Sequence, residues 1–203
     1  EFKDIKMDEE ILRAVNTLGF LKLTEIQEKV APLALAGENI LGASSTGSGK
    51  TIAFLMPVLE RTDWEEQKAN TLILAPSREL AIQIKNEYDA LGRYKKLRCV
   101  ALYGKQPMKE QLLDMKSRYQ AISGTPGRVL DHLKRGTIDR ERIDTLIIDE
   151  VDELLDKGFH DEMMEIIGHL PRIKQTMMFS ATITEEVKSL AESVAPNYKT
   201  IVA

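Results

Sequence analysis

The chain has one cysteine among 203 residues. A single thiol excludes disulfides within the chain. Cys99 lies in the apolar stretch "LRCVALY" with no histidine near it in sequence, which reads as a buried, inert thiol in a strand. Histidine is almost as scarce, and His132, His160 and His169 share no metal-ligand spacing with one another or with Cys99, so they read as unrelated structural or surface residues. No apolar run approaches the ~18 residues of a membrane-spanning helix, and no charged-then-apolar leader is present. The expected location is therefore cytoplasmic, with no membrane partner. A dense basic tract is also missing: 28 Lys and Arg against 32 Asp and Glu leave a formal net charge of −4. Composition thus gives no support for nucleic-acid binding, which must be read from local motifs.

What is present is an ordinary globular composition, 43% hydrophobic and 30% charged, of a length that suits one full domain over residues 1–203. Short apolar runs alternate with amphipathic stretches, and no repeat or low-complexity segment interrupts them. The runs are "ENILGA", "TLILA", "RCVALY", "YQAIS", "DTLIID", "TMMFSA" and "YKTIVA". Between them, Leu80, Ile84, Tyr88 and Leu91 share one helical face, as do Met108, Leu112 and Met115, and Val187, Leu190, Ala191 and Val194. Strands apolar on both sides and joined by helices predict an α/β fold, a mainly parallel sheet covered on both faces with ligands at the carboxyl ends of its strands. "RTDWEEQKAN" (61–70) reads as a polar surface connection, and Trp64 as a loop aromatic.

Two motifs carry chemistry. "SSTGSGKT" (44–51) follows an apolar stretch, and a loop of this kind turns backbone N–H groups toward one point while the next helix adds its positive end. Gly47 and Gly49 permit the turn, Lys50 reaches the β- and γ-phosphates, and the Thr51 hydroxyl can ligate Mg²⁺. Ser44 stands where the usual pattern has glycine; the alternative is a flexible loop that carries GKT by chance. "TLIIDEVD" ends an apolar strand in Asp149 and Glu150, adjacent carboxylates that are costly unless a cation or water occupies the site. Asp149 would hold Mg²⁺ through water and Glu150 would polarise the attacking water; the alternative is an acidic helix start. Together the two motifs predict a nucleoside-triphosphate site with Lys50, Asp149 and Glu150 as its catalytic residues.

With these elements the sequence resembles the DEAD-box RNA helicase family, in the first of its two RecA-like domains, over nearly the whole chain. "GFLKLTEIQ" (19–27) is similar to the adenine-reading motif, which implies base recognition by Gln27, stacking by an upstream aromatic matched by Phe2, and a further contact from Phe20. The phosphate loop then implies nucleotide contacts from Ser45, Thr46, Gly47, Ser48, Gly49, Lys50 and Thr51. "PSRELA" (76–81) and "TPGR" (125–128) resemble the RNA-backbone motifs, implying contacts from Pro76, Arg78, Thr125 and Arg128, and the family's paired-glycine motif, matched by Gly104, implies one more. "DEVD" (149–152) replaces the tetrad that names the family. "SAT" (180–182) resembles the element coupling hydrolysis to unwinding, through Asp152, Ser180 and Thr182.

Bland readings stand beside these. Thr24 and Gln27 have capping-box spacing, and Thr125 followed by Pro126 is an ordinary helix entrance, which itself presents free N–H groups to a phosphate. The sequence departs from the family pattern at Leu23, Ser44, Ser45, Ser77 and Val151, and Lys105 stands where a second glycine is usual. A small kinase and a nucleotide-binding module without turnover remain as other classes; no arginine-rich lid supports the first. The resemblance implies ATP and Mg²⁺ as cofactors, RNA gripped by its backbone as single strands or short duplexes, and a monomer working with a C-terminal RecA-like domain. Only residues 183–203 follow "SAT", so that second domain is expected to be absent here, leaving a chain that binds nucleotide but turns it over poorly.

Overall fold

The computed structural model describes residues 1–2, 7–20, 22–44 and 49–203. All seven apolar runs become strands: β1 (Ile40–Ala43), β2 (Thr71–Leu74), β3 (Cys99–Leu102), β4 (Ala121–Gly124), β5 (Thr145–Ile148), β6 (Gln175–Ser180) and β7 (Lys199–Val202). They form one sheet in the order β3-β4-β2-β5-β6-β1-β7, and every pairing in it is parallel. β2, β4, β5 and β6 are buried at every position. Successive side chains point to opposite faces, so Leu72, Leu74, Leu146, Ile148 and Met178 join one core cluster while Ile73, Ile147, Met177 and Phe179 join the other.

Helices cover both faces. The second cluster takes side chains from α1 (Glu9–Thr17), α2 (Glu25–Leu35), α3 (Lys50–Glu60) and α4 (Arg78–Leu91). The first takes them from α6 (Pro126–Arg135), α7 (Val151–Asp156), α8 (His160–Gly168) and α9 (Glu185–Val194). α9 buries Val187, Leu190, Ala191 and Val194 as its periodicity predicts, and Ile84, Tyr88 and Leu91 are buried on α4. Met115 is buried in the first cluster as its periodicity predicts, but α5 (Met108–Asp114) otherwise departs from expectation. Its buried residue is Gln111, while Leu112 and Leu113 are 36% and 53% exposed. Each such leucine leaves unrealised part of the ~1.5–3 kcal/mol that full burial contributes.

The topology gathers the motifs. The phosphate loop follows β1, "PSRELA" follows β2, Gly104 and Lys105 follow β3, "TPGR" follows β4, "DEVD" follows β5 and "SAT" begins at the end of β6. All lie at the carboxyl ends of parallel strands, where open α/β sheets bind ligands. Gly124 allows "TPGR" its place, because a Cβ there would meet Val129 Cγ2 at 2.4 Å and Leu102 O at 2.7 Å.

Cys99 is fully buried, its backbone N–H donating to Asp89 Oδ1 at 2.8 Å, and burial pushes its thiol pKa well above the ordinary value. Trp64 is on the surface, with the Arg118 and Lys96 cations 5.0 and 5.8 Å from its ring. Among the described residues, no helix is long and apolar enough to cross a membrane, and no three His, Cys, Asp or Glu side chains cluster as a metal site.

Candidate functional site

Gly49 and Lys50 begin α3. Gly49 takes φ 85°, and a Cβ there would lie 2.6 Å from Gln27 Nε2 and 2.9 Å from Thr24 Oγ1, so both conformation and space require glycine. The Lys50 ammonium is 2.9 Å from Asp149 Oδ1, with Lys50 7% and Asp149 0% exposed. Ninety-nine positions apart in sequence, the two catalytic candidates are ion-paired at the tops of β1 and β5. Asp149 is further held by Glu150 N–H donating to its Oδ1 at 2.9 Å and by its own N–H donating to Leu74 O at 2.9 Å. Its Oδ2 is buried without a hydrogen-bond partner among the described residues. Burial raises the Asp149 pKa, and the Lys50 charge opposes that rise. An orphaned carboxylate oxygen in so dry a place costs on the order of 1–3 kcal/mol, and its chemistry suits a hard cation or that cation's water shell. Thr51, the next residue of α3, is half-buried. Ser45, Thr46, Gly47 and Ser48 lie outside the described residues.

Glu150 caps α7 at φ 49°, ψ 54°, a left-handed conformation costing a non-glycine residue roughly 1–2 kcal/mol. Its pKa is pushed up to about 7, first by partial burial, then by a hydrogen bond with Glu153 and the charge of Asp149. A carboxylate so placed is suited to exchange a proton near neutral pH. Two residues on, Asp152 Oδ2 accepts from Thr182 N at 3.2 Å and from Thr182 Oγ1 at 3.0 Å. Asp152 N donates to Ser180 Oγ at 3.3 Å, and Ser180 Oγ donates to Thr182 O at 2.6 Å. Burial works to raise the Asp152 pKa, but hydrogen bonds with Thr182, Glu153 and Ser180 together outweigh it and the net shift is downward. The three coupling candidates therefore form one bonded unit joining α7 to the end of β6.

Gln27 is 2% exposed and fills two roles. It closes a capping box with Thr24, accepting from Thr24 N at 2.9 Å and donating its own N–H to Thr24 Oγ1 at 3.4 Å. Its Nε2 also donates to Gly49 O at 3.1 Å, tying α2 to the phosphate loop. The two aromatics separate. Phe2 is 4% exposed within the core cluster of α1 to α4, so the expectation that it stacks on a base is corrected: in this arrangement its ring has no open face. Phe20 is 41% exposed and lines a cavity of about 440 Å³ with Leu18, Ile52 and Ile82.

On the other side of the sheet top, Arg78 is exposed at the first position of α4, its guanidinium 5.3 Å from the Tyr103 ring. Pro76 is buried, and its carbonyl accepts from Lys157 Nζ at 3.2 Å. Gly104 is exposed, and Lys105 takes φ 69°, the left-handed conformation that the family's usual glycine adopts at little cost. Thr125 occupies the N-cap of α6 without a side-chain capping bond, and Pro126 supplies no N–H, so the helix entrance keeps donors for an anion. Arg128 is partly committed, donating Nη1 to Gln106 O at 2.7 Å and to Gln111 Oε1 at 3.2 Å. No motif or periodicity in the sequence singles out Gln111, Glu153 or Lys157, which the fold brings to these groups.

A family model for DEAD/DEAH box helicases matches residues 24–190. Among curated proteins the chain is similar to the ATP-dependent RNA helicase DbpA of Bacillus subtilis, 40% identical over 196 residues, covering 97% of this chain and 41% of that protein. It is also similar to the ATP-dependent RNA helicase CshA of Listeria monocytogenes, 40% identical over 192 residues, 95% of this chain and 37% of that one. The chain thus spans well under half the length of these relatives. Among solved structures, a DEAD box protein from the hyperthermophile Methanococcus jannaschii superposes with TM-score 0.94 at 36% identity, covering 100% of this chain and 55% of that one. A hypothetical ATP-dependent RNA helicase from Sulfolobus tokodaii gives TM-score 0.90 at 36% identity, over 97% and 57%.

Proposed function

Because the chain belongs to the DEAD/DEAH box helicase family, we propose that it is the ATP-binding, RecA-like domain of an ATP-dependent RNA helicase, completed by a second RecA-like domain. The observation that carries this reading is the constellation of Lys50, Asp149 and Glu150 at the ends of β1 and β5: a buried ion pair with one carboxylate oxygen unpartnered among the described residues, beside a carboxyl group poised near neutrality.

In this reading Lys50 would exchange Asp149 for the β- and γ-phosphates of ATP, and the residues that would hold Mg²⁺ are Thr51, by its hydroxyl, and the freed Asp149 carboxylate, through water. Mg²⁺, when bound, neutralises phosphate charge and orients the transferring group. Glu150 orients and polarises the attacking water, taking its proton. Phe20 offers its open ring to the adenine. Gln27 has one amide N–H and one oxygen lone pair left after its bonds to Gly49 and Thr24, enough to meet adenine's amino group and adjacent ring nitrogen. Asp152, Ser180 and Thr182 carry the change at the γ-phosphate site to the rest of the molecule. RNA lies along Pro76, Arg78, Gly104, Thr125 and Arg128, held by phosphates and sugars without base readout.

This chain alone should bind adenine nucleotide and turn it over slowly, since Arg78 and Arg128 serve RNA and the arginines that compensate γ-phosphate charge are expected from the second domain. An arginine finger is worth on the order of 10³ to 10⁵ in rate. The test is steady-state ATP turnover with and without single-stranded RNA, for this chain and for one extended through a second RecA-like domain, with Glu150→Gln in the latter. The extended protein should show RNA-stimulated turnover that Glu150→Gln suppresses about 10²-fold or more. Equal RNA-stimulated turnover in both lengths would overturn the division of labour. Absence of nucleotide binding would overturn the reading itself.

A further inference from the structure

α5 buries an amide and exposes two leucines, the reverse of what apolar burial favours, and such local conflicts gather at functional sites. The Gln111 amide uses its full capacity of two donors and two acceptor positions. Its Nε2 donates to Tyr103 O at 2.8 Å and to Gln106 Oε1 at 2.9 Å. Its Oε1 accepts from His132 Nε2 at 2.7 Å and from Arg128 Nη1 at 3.2 Å. Tyr103 O only accepts and Arg128 only donates, so the amide has a single workable orientation; turned over, it would oppose donor to donor and acceptor to acceptor.

That orientation settles the histidine. His132 is fully buried, and its Nε2 faces an oxygen that can only accept, so Nε2 carries the proton. Nδ1 lies 2.7 Å from Thr137 Oγ1; that hydroxyl has one proton and also lies 3.0 Å from His132 O, and with the ring neutral and Nε2 protonated the proton goes to Nδ1. Burial, with the nearby Arg128 charge, lowers the His132 pKa to about 4, in keeping with this neutral tautomer.

The partners of Gln111 come from the segments that grip RNA in the proposed function. Tyr103 and Gln106 bracket Gly104 and Lys105, Arg128 ends "TPGR", and the Tyr103 ring carries the Arg78 guanidinium. Lys105 is held left-handed between the two residues that Gln111 bonds. We propose that Gln111 is a positioning residue that locks Arg78, the Gly104–Lys105 turn and Arg128 into one preformed surface for the phosphates of a single RNA strand. This rests on the RNA reading above, and contact through Arg128 distinguishes it from a general role in stability.

The experiment measures binding of a fluorescein-labelled oligouridylate to this chain by anisotropy, over a salt series of roughly 50 to 200 mM. Gln111→Met, which keeps the volume and removes the hydrogen bonds, should weaken binding about tenfold and flatten the salt slope by about 0.7, the loss of one phosphate contact on a single strand. On an Arg128→Met background the same change should add less than about twofold. Should Gln111→Met fail to fold, Gln111→Glu carries the test: its carboxylate still accepts from Arg128 and His132 but cannot donate to Tyr103 O, so the salt slope is kept while affinity falls about threefold. Long-range ¹H–¹⁵N spectra at neutral pH should show His132 as the neutral Nε2–H tautomer. Unmodified affinity in Gln111→Met, a full effect persisting without Arg128, or an Nδ1–H tautomer would each overturn the proposal while leaving the RNA reading intact. Absence of salt-dependent RNA binding by the unmodified chain would overturn the RNA reading and this proposal with it.

Discussion

Around Asp149 polar atoms are short of partners and backbone is strained: Oδ2 is unpartnered among the described residues, Glu150 sits at φ 49°, and Lys50 is committed to a carboxylate it would have to leave. Around Gln111, about forty to sixty positions away in sequence, every amide position is filled and His132 is bonded at both ring nitrogens. The two regions share one sheet top and, in the proposed function, differ in task. A group that exchanges partners during a reaction cycle is better kept poorly bonded, since deep satisfaction would have to be undone at each turnover. A group that only holds a shape gains from saturation, because bonds in a low-dielectric interior reinforce one another.

The largest test of that contrast is Lys50→Ala. It removes the partner of a fully buried carboxylate, which should destabilise the fold by about 3–5 kcal/mol, less whatever protonation of Asp149 recovers. It should also weaken triphosphate binding by roughly 100-fold. Urea denaturation and fluorescent-nucleotide titration measure the two effects. Adding Asp149→Asn should restore most of the stability and none of the affinity; recovery of both would erase the distinction between exchanging and holding groups.

Next in size is the pH dependence of the holding region. His132 titrates at about 4 in the folded chain against ~6.5 unfolded. The unfolded state therefore binds the proton first, and the stability His132 confers is complete above pH ~6.5 and drains away as pH falls toward 4, by up to about 3 kcal/mol. Denaturation curves at pH 7 and pH 4.5, compared with those of His132→Gln, isolate it. An unchanged pH response in the variant would show that the ring is not held neutral by its surroundings.

The smallest effect belongs to Lys105→Gly. Relief of the left-handed backbone should stabilise the chain by about 0.5–1 kcal/mol after the extra chain entropy of glycine is counted, read as a raised melting temperature. Loss of stability would mean that the Lys105 side chain, rather than the network around Gln111, holds the turn.

Much of this was legible in sequence, for reasons visible in particular elements. A strand apolar on both sides announces itself, as "TLILA" and "DTLIID" did, and α9 showed its buried face because nothing polar competes for it. α5 followed that rule only at Met115. Periodicity ranks Leu112 above Gln111 and cannot see that the amide has partners 17 and 21 positions later. Motif matching named Lys50 and Asp149 but not their bond to each other, and it pointed to Phe2 where burial favours Phe20. Thr24 and Gln27 form the capping box that their spacing predicts, and the box leaves the amide nitrogen free to reach Gly49.

The burial of Cys99 has a practical corollary. A lone thiol sealed in the interior and held protonated leaves the exterior blank to maleimides, so a cysteine introduced at one chosen position would take a dye there and nowhere else in the native chain. A reporter at position 20 and another at position 105, made in separate preparations, would follow base docking and strand docking as independent fluorescence signals. Whether either ligand alters the signal of the other could then be read directly, without first engineering away a native background.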